Sequence, residues 1–206
     1  MKRRIVFSVF AFVLLSGFGF SQIQYGARIS GSMTNITEVH SWSKARGGFQ
    51  LAVMARIPVT GNDILFFEPE VNFSTQGEFD QPQITDDFGQ IKHEKQKVFM
   101  TFINIPLNFK LYFTDSDDEF FALGGPYLGI MVNKNIESKP YPTEAGRNKF
   151  SSFDFGASLG FGYSIGRQLE FSLRYSYGLA DMVSNDYAKK TNSTSILNLG
   201  VAYVFE

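Results

Sequence analysis

The longest regular pattern of hydrophobic and polar residues lies in residues 153–179. From residue 153 to residue 165 every odd position is hydrophobic, and every even position is Gly, Ser or Asp. The same alternation resumes at residue 169, after the turn residues Gly166, Arg167 and Gln168. Successive side chains of an extended chain point to opposite faces, so a period of two residues is typical of strands. The segment therefore predicts a hairpin of two long β-strands.

The length of these strands and the composition of their polar face predict a membrane barrel. Each arm keeps its alternation for the roughly 9–11 residues that a tilted strand needs to cross a bilayer. Strands of soluble proteins usually run about 5–6 residues. The polar face consists mostly of Gly and Ser, which suit the inside of a narrow barrel better than a surface facing water. We expect the hydrophobic face to contact lipid and the polar face to line the interior.

Similar alternation elsewhere in the chain predicts six further strands. They are expected at about residues 24–33, 48–58, 65–76, 98–113, 120–132 and 195–205. Pro106 cannot donate a backbone hydrogen bond, which predicts a bulge in the fourth strand, and residues 124–126 (Gly-Gly-Pro) interrupt the alternation of the fifth. Because open sheet edges are unfavourable in lipid, the strands must close on themselves. The fold class is therefore all-β, an eight-stranded antiparallel up-and-down transmembrane β-barrel with a polar, small-residue interior.

The connections between these strands alternate between long and short. Outer-membrane barrels of Gram-negative bacteria have long external loops, short periplasmic turns and an even number of strands. We therefore expect a bacterial outer-membrane location with both termini in the periplasm. Residues 1–21 have a basic start, a hydrophobic stretch and a small-x-small site, which predicts a cleaved signal peptide before a barrel domain at residues 22–206. The alternative is an uncleaved membrane anchor.

Composition excludes several classes of function. The chain has 19 basic and 20 acidic residues among 206, so no positive charge favours binding to nucleic acid. It contains no cysteine, which excludes disulfides, thiolate metal sites, thiol nucleophiles and lipid attachment at an N-terminal cysteine. The sequence predicts no cofactor.

The predicted inner face carries eight charged residues of balanced sign. They are Arg28, Arg56, Lys110 and Arg174 against Glu68, Glu70, Asp154 and Glu170. Side chains fill the interior of an eight-stranded barrel, and unpaired buried charge is costly. We therefore interpret the eight residues as a structural network that plugs the barrel. The alternative is a small polar conduit for an ion.

No segment of the sequence predicts an active site. His40 and His93 both fall in predicted external loops, where His93 has acidic neighbours and is the best candidate for a general base. The acidic residues 115–119 lack the Gly and the distant Glu of a calcium loop, so they predict an acidic turn. Gly160 and Gly162 form a Gly-x-Gly within a strand, where it cannot cradle a phosphate.

Several segments together resemble the PorT-like family of small outer-membrane β-barrels, also labelled the porin family or outer membrane protein beta-barrel domain. The matching segments are residues 25–28, 69–74, 105–113, 125–129, 154–156, 160–163 and 174–179. The resemblance covers nearly all of residues 22–205 and implies an eight-stranded barrel in the outer membrane. Such barrels commonly end on an aromatic residue that the assembly machinery recognises, whereas Glu206 follows Phe205 here. The namesake is linked to protease export, and a shared fold does not carry that role over.

These observations predict a non-enzymatic outer-membrane barrel with a structural, adhesive or secretion-accessory role. The expected partners are outer-membrane lipid, the barrel-assembly machinery through the C-terminal strand, and an unidentified partner of the external loops. Two alternatives remain. One is a soluble, lipocalin-like barrel that binds an apolar ligand inside. The other is a lipid-modifying barrel enzyme, for which His93 would be the candidate base.

Overall fold

Eight long strands make up most of the part of the chain that the structure describes. The computed structural model describes residues 23–36, 44–61, 63–80, 83–85, 88–93, 96–137, 149–184 and 192–205. The predicted signal peptide at residues 1–21 and His40 lie outside the described residues. The barrel strands are β1 (Gln24–Ile36), β2 (Lys44–Pro58), β3 (Leu65–Asp80), β6 (Gln96–Tyr112), β7 (Glu119–Glu137), β9 (Phe153–Ile165), β10 (Leu169–Gly178) and β12 (Thr194–Phe205). Four short strands lie in the connections: β4 (Gln83–Thr85), β5 (Ile91–His93), β8 (Lys149–Phe150) and β11 (Val183–Ser184).

The eight long strands close into an antiparallel barrel, as the alternation predicts. Each strand pairs with its neighbours in chain order, and β1 pairs with β12 to complete the ring. Following paired residues once around the barrel from Phe153 of β9 leads back to Tyr163 of the same strand, ten residues along. Such a stagger accompanies a tilt of the strands against the barrel axis.

Two features predicted within the strands differ in the structure. Pro106 pairs with Tyr127 without a change of register, and the irregularity in this pair of strands falls between Thr101 and Phe102. Residues 124–126 also leave the alternation intact, since Leu123 and Tyr127 on either side both point inward and are buried. The predicted bulge at Pro106 and the predicted interruption of β7 are therefore wrong. A strand can accept a proline wherever no ladder hydrogen bond from that residue is needed.

The two faces of the barrel have opposite polarity. Leu159 and Leu199 on the outer face are 73% and 69% exposed, while inward-facing Ser74 and Asn108 are completely buried. The hydrophobic face is therefore on the outside. A soluble barrel of the lipocalin type has the reverse arrangement, so the structure excludes that alternative. No helix long and apolar enough to cross a membrane occurs among the described residues.

The two ends of the barrel are unlike. At one end, which we call the short-turn end, consecutive strands are joined by short turns. These turns are residues 59–64, 113–118 and 166–168. At the other, the long-connection end, the strands finish at different heights. Ile130 of β7 pairs with Phe153 at the start of β9, and β7 then continues for seven residues to Glu137, paired with β6. Lys44 of β2, Phe79 of β3 and Lys97 of β6 pair in one row with Glu137 of β7, so β2, β3, β6 and β7 form a wall that rises beyond the start of β9.

Candidate functional site

The interior near the short-turn end contains a ring of four charged side chains. Lys110 Nζ lies 2.5 Å from Glu68 Oε2 and 2.7 Å from Glu170 Oε2. Arg56 contacts the same two carboxylates, with Nη2 2.5 Å from Glu170 Oε1 and Nε 3.3 Å from Glu68 Oε2. All four side chains are at most 3% exposed. Each cation therefore faces both carboxylates, and the ring is electrically neutral.

Aromatic residues pack around this ring of charged side chains near the short-turn end of the barrel. Tyr112 donates a hydrogen bond from its hydroxyl to Glu170 Oε1 at 2.6 Å. Its ring makes edge contacts with Phe66 and Phe121, both at 5.7 Å between centroids. The Lys110 ammonium lies 4.7 Å from the centre of the Phe121 ring. The ionic ring is thus enclosed by side chains that hold its members in place and exclude water.

A second ionic cluster lies further along the interior and is built on one carboxylate. Arg174 binds Glu70 with two hydrogen bonds, Nη1 to Oε2 at 3.0 Å and Nη2 to Oε1 at 2.9 Å. Arg28 Nη2 lies 2.6 Å from Glu70 Oε2, and the Asn108 amide also donates to Glu70. Two guanidinium groups share one carboxylate, so this cluster carries one excess positive charge.

Asp154 lies apart from the other seven predicted residues. Its Oδ2 accepts hydrogen bonds from Thr194 Oγ1 at 2.7 Å and Tyr127 OH at 2.9 Å, and no cation contacts it within the described part of the chain. Asp154 is near the start of β9 and Glu170 near the start of β10, so the antiparallel strands place them at opposite ends of the barrel. The structure therefore does not join Asp154 to the network that the sequence analysis predicts.

Between the second cluster and Asp154 the interior is lined by neutral polar groups. The Asn72 amide donates to Gln50 Oε1 at 2.9 Å, and Gln50 donates in turn to Ser74. A cavity of about 20 Å³ lies beside Asn72, Asn104 and Asn198. A space of this size holds about one water molecule.

Apolar side chains cover the interior at the long-connection end. Met100 and Phe102 of β6 point inward and pack with Ile36 of β1 and with Met182, which follows β10. Met182 is completely buried, and its backbone is held by hydrogen bonds to Ser151 and Asn192. The segment after β10 therefore folds over this end of the barrel.

At the short-turn end Arg167 connects all three short turns, a contact that the sequence analysis does not predict. Its guanidinium lies 2.7 Å from Glu119 Oε1 and donates to the backbone oxygens of Asp63 and Ser116. Arg56 of the ionic ring donates to the Arg167 carbonyl at 3.0 Å. We call this set of contacts the Arg167 clasp. Turn residues converge here from distant parts of the chain, so no local sequence signal marks it.

The other candidates for chemistry lie in connections or within a strand. His93 lies in β5 and pairs with Gln83 in the short β4–β5 hairpin. Residues 115–118 of the predicted acidic turn lie in the connection of residues 113–118, whereas Glu119 begins β7 and is buried. The described residues contain no group of acidic or histidine side chains suited to a metal. Gly162 lies in mid-strand, as expected, and leaves room for the Phe121 ring.

A closed eight-stranded barrel with an apolar outer face and a polar interior defines the class of outer-membrane β-barrel proteins. Comparison with protein families agrees, since residues 8–184 match the family described as outer membrane protein beta-barrel domain. The chain belongs to this family, and the protein is an outer-membrane β-barrel protein of bacteria.

Solved structures with this fold include three bacterial outer-membrane proteins. Neisserial surface protein A has a TM-score of 0.51 at 13% identity, with 90% of this chain and 100% of that chain covered. Ail, the attachment invasion locus protein of Yersinia pestis, has a TM-score of 0.49 at 10% identity, with 89% and 99% covered. OprG of Pseudomonas aeruginosa has a TM-score of 0.46 at 15% identity, with 89% and 94% covered. These likenesses concern the fold alone. A comparison with curated proteins gave no match.

Proposed function

We propose that the protein is a non-catalytic barrel that anchors a surface platform in the outer membrane, in a structural, adhesive or secretion-accessory role. The platform consists of the raised wall of β2, β3, β6 and β7 together with the long connections. The observation that carries the proposal is the seven-residue extension of β7 beyond Ile130, paired with β6. The long-connection end therefore holds ordered structure beyond the apolar belt, where a partner could bind.

The proposal places the long-connection end outside the cell and both termini in the periplasm, as is usual for this class. Because the chain has no cysteine, single cysteines can report the orientation without background. Phe88 at the long-connection end and Gly61 in a short turn are both exposed. We expect a membrane-impermeant maleimide to label Phe88→Cys on intact cells and Gly61→Cys only after lysis. The reverse pattern would refute the orientation.

The surface role is tested by replacing the β4–β5 hairpin, residues 83–93, with a Gly-Ser linker. The hairpin pairs only within itself among the described strands, so the barrel should remain folded. We expect cells with this variant to lose attachment to surfaces or secretion of exported proteins, compared with cells that make equal amounts of the unaltered protein. Unchanged attachment and secretion would leave a structural role in the membrane.

The proposal includes the absence of catalysis and of conduction. We expect His93→Ala to leave the composition of surface lipids unchanged, and a change would support a lipid-modifying enzyme. The filled interior, with its two ionic clusters and apolar cover, supports a plug over a conduit. Purified protein in planar bilayers should therefore show no steady ion conductance.

Membership of the PorT-like subgroup also remains a proposal, supported by the motifs in residues 69–74 and 105–113.

A further inference from the structure

A row of cationic and aromatic side chains crosses the outer face of the raised wall. Lys44 of β2 and Lys97 of β6 both pair with Phe79 of β3, so these three residues lie side by side on adjacent strands. Both lysines are exposed, and Phe79 is 40% exposed. Strands are about 4.8 Å apart, so the two lysine backbones are roughly 10 Å apart. On the other side of Lys97 the backbone pairs with Glu137 of β7.

Arg46 adds a third cation in a fixed position beside this row. Its guanidinium lies over the Phe99 ring, 3.8 Å from the centroid, and Nη1 donates to the Gln76 carbonyl at 3.0 Å. Gly77 lies beneath it, where a Cβ atom would be 3.1 Å from Nη1. Stacking on an aromatic ring and a backbone hydrogen bond both hold a guanidinium in one orientation. We call Lys44, Arg46, Lys97, Phe79 and Phe99 the basic patch.

The basic patch lies just beyond the apolar belt that contacts lipid. On β2 the belt ends at Phe49. Arg46 and Lys44 precede Phe49 by three and five residues, which places them roughly 10 and 16 Å further along the strand, away from the belt. On β3 and β6 the belt ends at Thr75 and Thr101, which pair with each other. The tilt of the strands shortens these distances along the membrane normal. The patch therefore lies at the depth of lipid headgroups and slightly above it.

We propose that the basic patch binds the phosphate groups of a glycolipid in the outer leaflet of the membrane. Arg and Lys are the side chains that recognise phosphate, and Arg does so with paired hydrogen bonds. Cations on β2 and β6, with β3 between them, suit a headgroup that carries two phosphates on a sugar scaffold. Aromatic side chains are favoured at the same depth, because they tolerate both sugar and acyl surroundings. This inference rests on the proposed orientation, which puts the patch in the outer leaflet.

The test uses folded full-length barrel in micelles of a zwitterionic detergent, with bis-phosphorylated lipid A as the probe and native mass spectrometry as the readout. The variant K44Q/R46Q/K97Q removes the three cations while keeping polar side chains. K134Q is the matched control, since Lys134 is an exposed cation on the same wall whose ammonium lies over Phe150. We expect the triple variant to bind at least tenfold less lipid A and K134Q to bind within twofold of the unaltered protein. Equal binding by the triple variant, or an equal loss in K134Q, would overturn the proposal.

Two further measurements distinguish recognition of the lipid A phosphates from other causes of binding. Dephosphorylated lipid A should bind at least tenfold less tightly than the bis-phosphorylated form, and equal binding would overturn phosphate recognition. Inorganic phosphate at millimolar concentration should fail to displace lipid A, and displacement would show a simple anion site. The micelle assay does not depend on orientation, so it can succeed even where cysteine labelling refutes the surface role. Heat-dependent mobility in SDS gels confirms that each variant is folded.

Discussion

Glu70 and Arg174, which lie 104 residues apart in the sequence, form a two-bond ion pair inside the barrel. The same carboxylate also binds Arg28, so one anion faces two guanidinium groups that water does not reach. Removing one member of a buried pair is costly because it leaves a buried charge uncompensated. Glu70 is therefore the residue on which the second cluster depends.

Glu70→Gln should strongly destabilise the barrel. We expect the free energy of unfolding to fall by about 3–5 kcal/mol, because two buried cations lose their counter-charge. The measurement is urea unfolding of the protein in lipid vesicles, followed by tryptophan fluorescence or gel mobility. Arg28→Met and Arg174→Met are the comparisons. Arg28→Met should lower the free energy of unfolding less, because it leaves Glu70 neutralised by its two-bond pair with Arg174. An equal cost for all three would contradict the central place of Glu70 in the cluster.

Tyr112→Phe should remove one hydrogen bond from the ionic ring without changing its packing. A hydrogen bond to a charged group contributes about 1.5–3 kcal/mol, and we expect a loss of this size. Tyr175→Phe provides the control, because Tyr175 is 48% exposed on the outer face and should change stability by less than about 0.5 kcal/mol. Similar values for both variants would argue that Tyr112 acts only through its ring.

Arg167→Ala should loosen the short-turn end. Buried Glu119 would lose its cation and keep only its hydrogen bonds from Thr114, a loss of about 1–3 kcal/mol. We expect faster amide hydrogen exchange in residues 113–118, with exchange in β9 and β10 unchanged. Arg167 has a φ of 52°, which glycine adopts without strain, so Arg167→Gly should be more stable than Arg167→Ala. The opposite order would mean that the backbone there is not strained.

Gly162→Ala should destabilise the barrel because no space exists for its methyl group. The added Cβ would lie 2.9 Å from Phe121 Cε1 and also meet the Phe171 carbonyl oxygen, which cannot move aside. Overpacking of this kind costs about 1–3 kcal/mol. Gly31→Ala is the matched change, since a Cβ there meets nothing within 4 Å. Thermal unfolding should show a lower melting temperature for Gly162→Ala alone, and an equal effect of both changes would contradict the packing argument.

The strands and the direction of their faces could be predicted from the sequence. Alternation is a local property, because each side chain in a strand points opposite to its neighbours. Residues such as Glu68, Glu70 and Arg174 could therefore be assigned to the interior without knowing any contact. The same reasoning places Tyr112 and Asn108 inside, although it does not say that they bind carboxylates. The ends of β2, β3 and β7 on the long-connection side were not predicted, since these strands continue into segments rich in charge.

Alternation along the chain thus determined the class of fold, the number of strands and the identity of the inward-facing charges. Only the tertiary structure decided which charges meet. Antiparallel strands place Asp154 and Glu170 at opposite ends, although both begin consecutive strands. The stagger of ten residues around the barrel decides that Arg28, Glu70 and Arg174 converge, and the closing of three turns brings Arg167 to Glu119. These contacts depend on the closed shape of the barrel, and no local segment of the sequence contains that information.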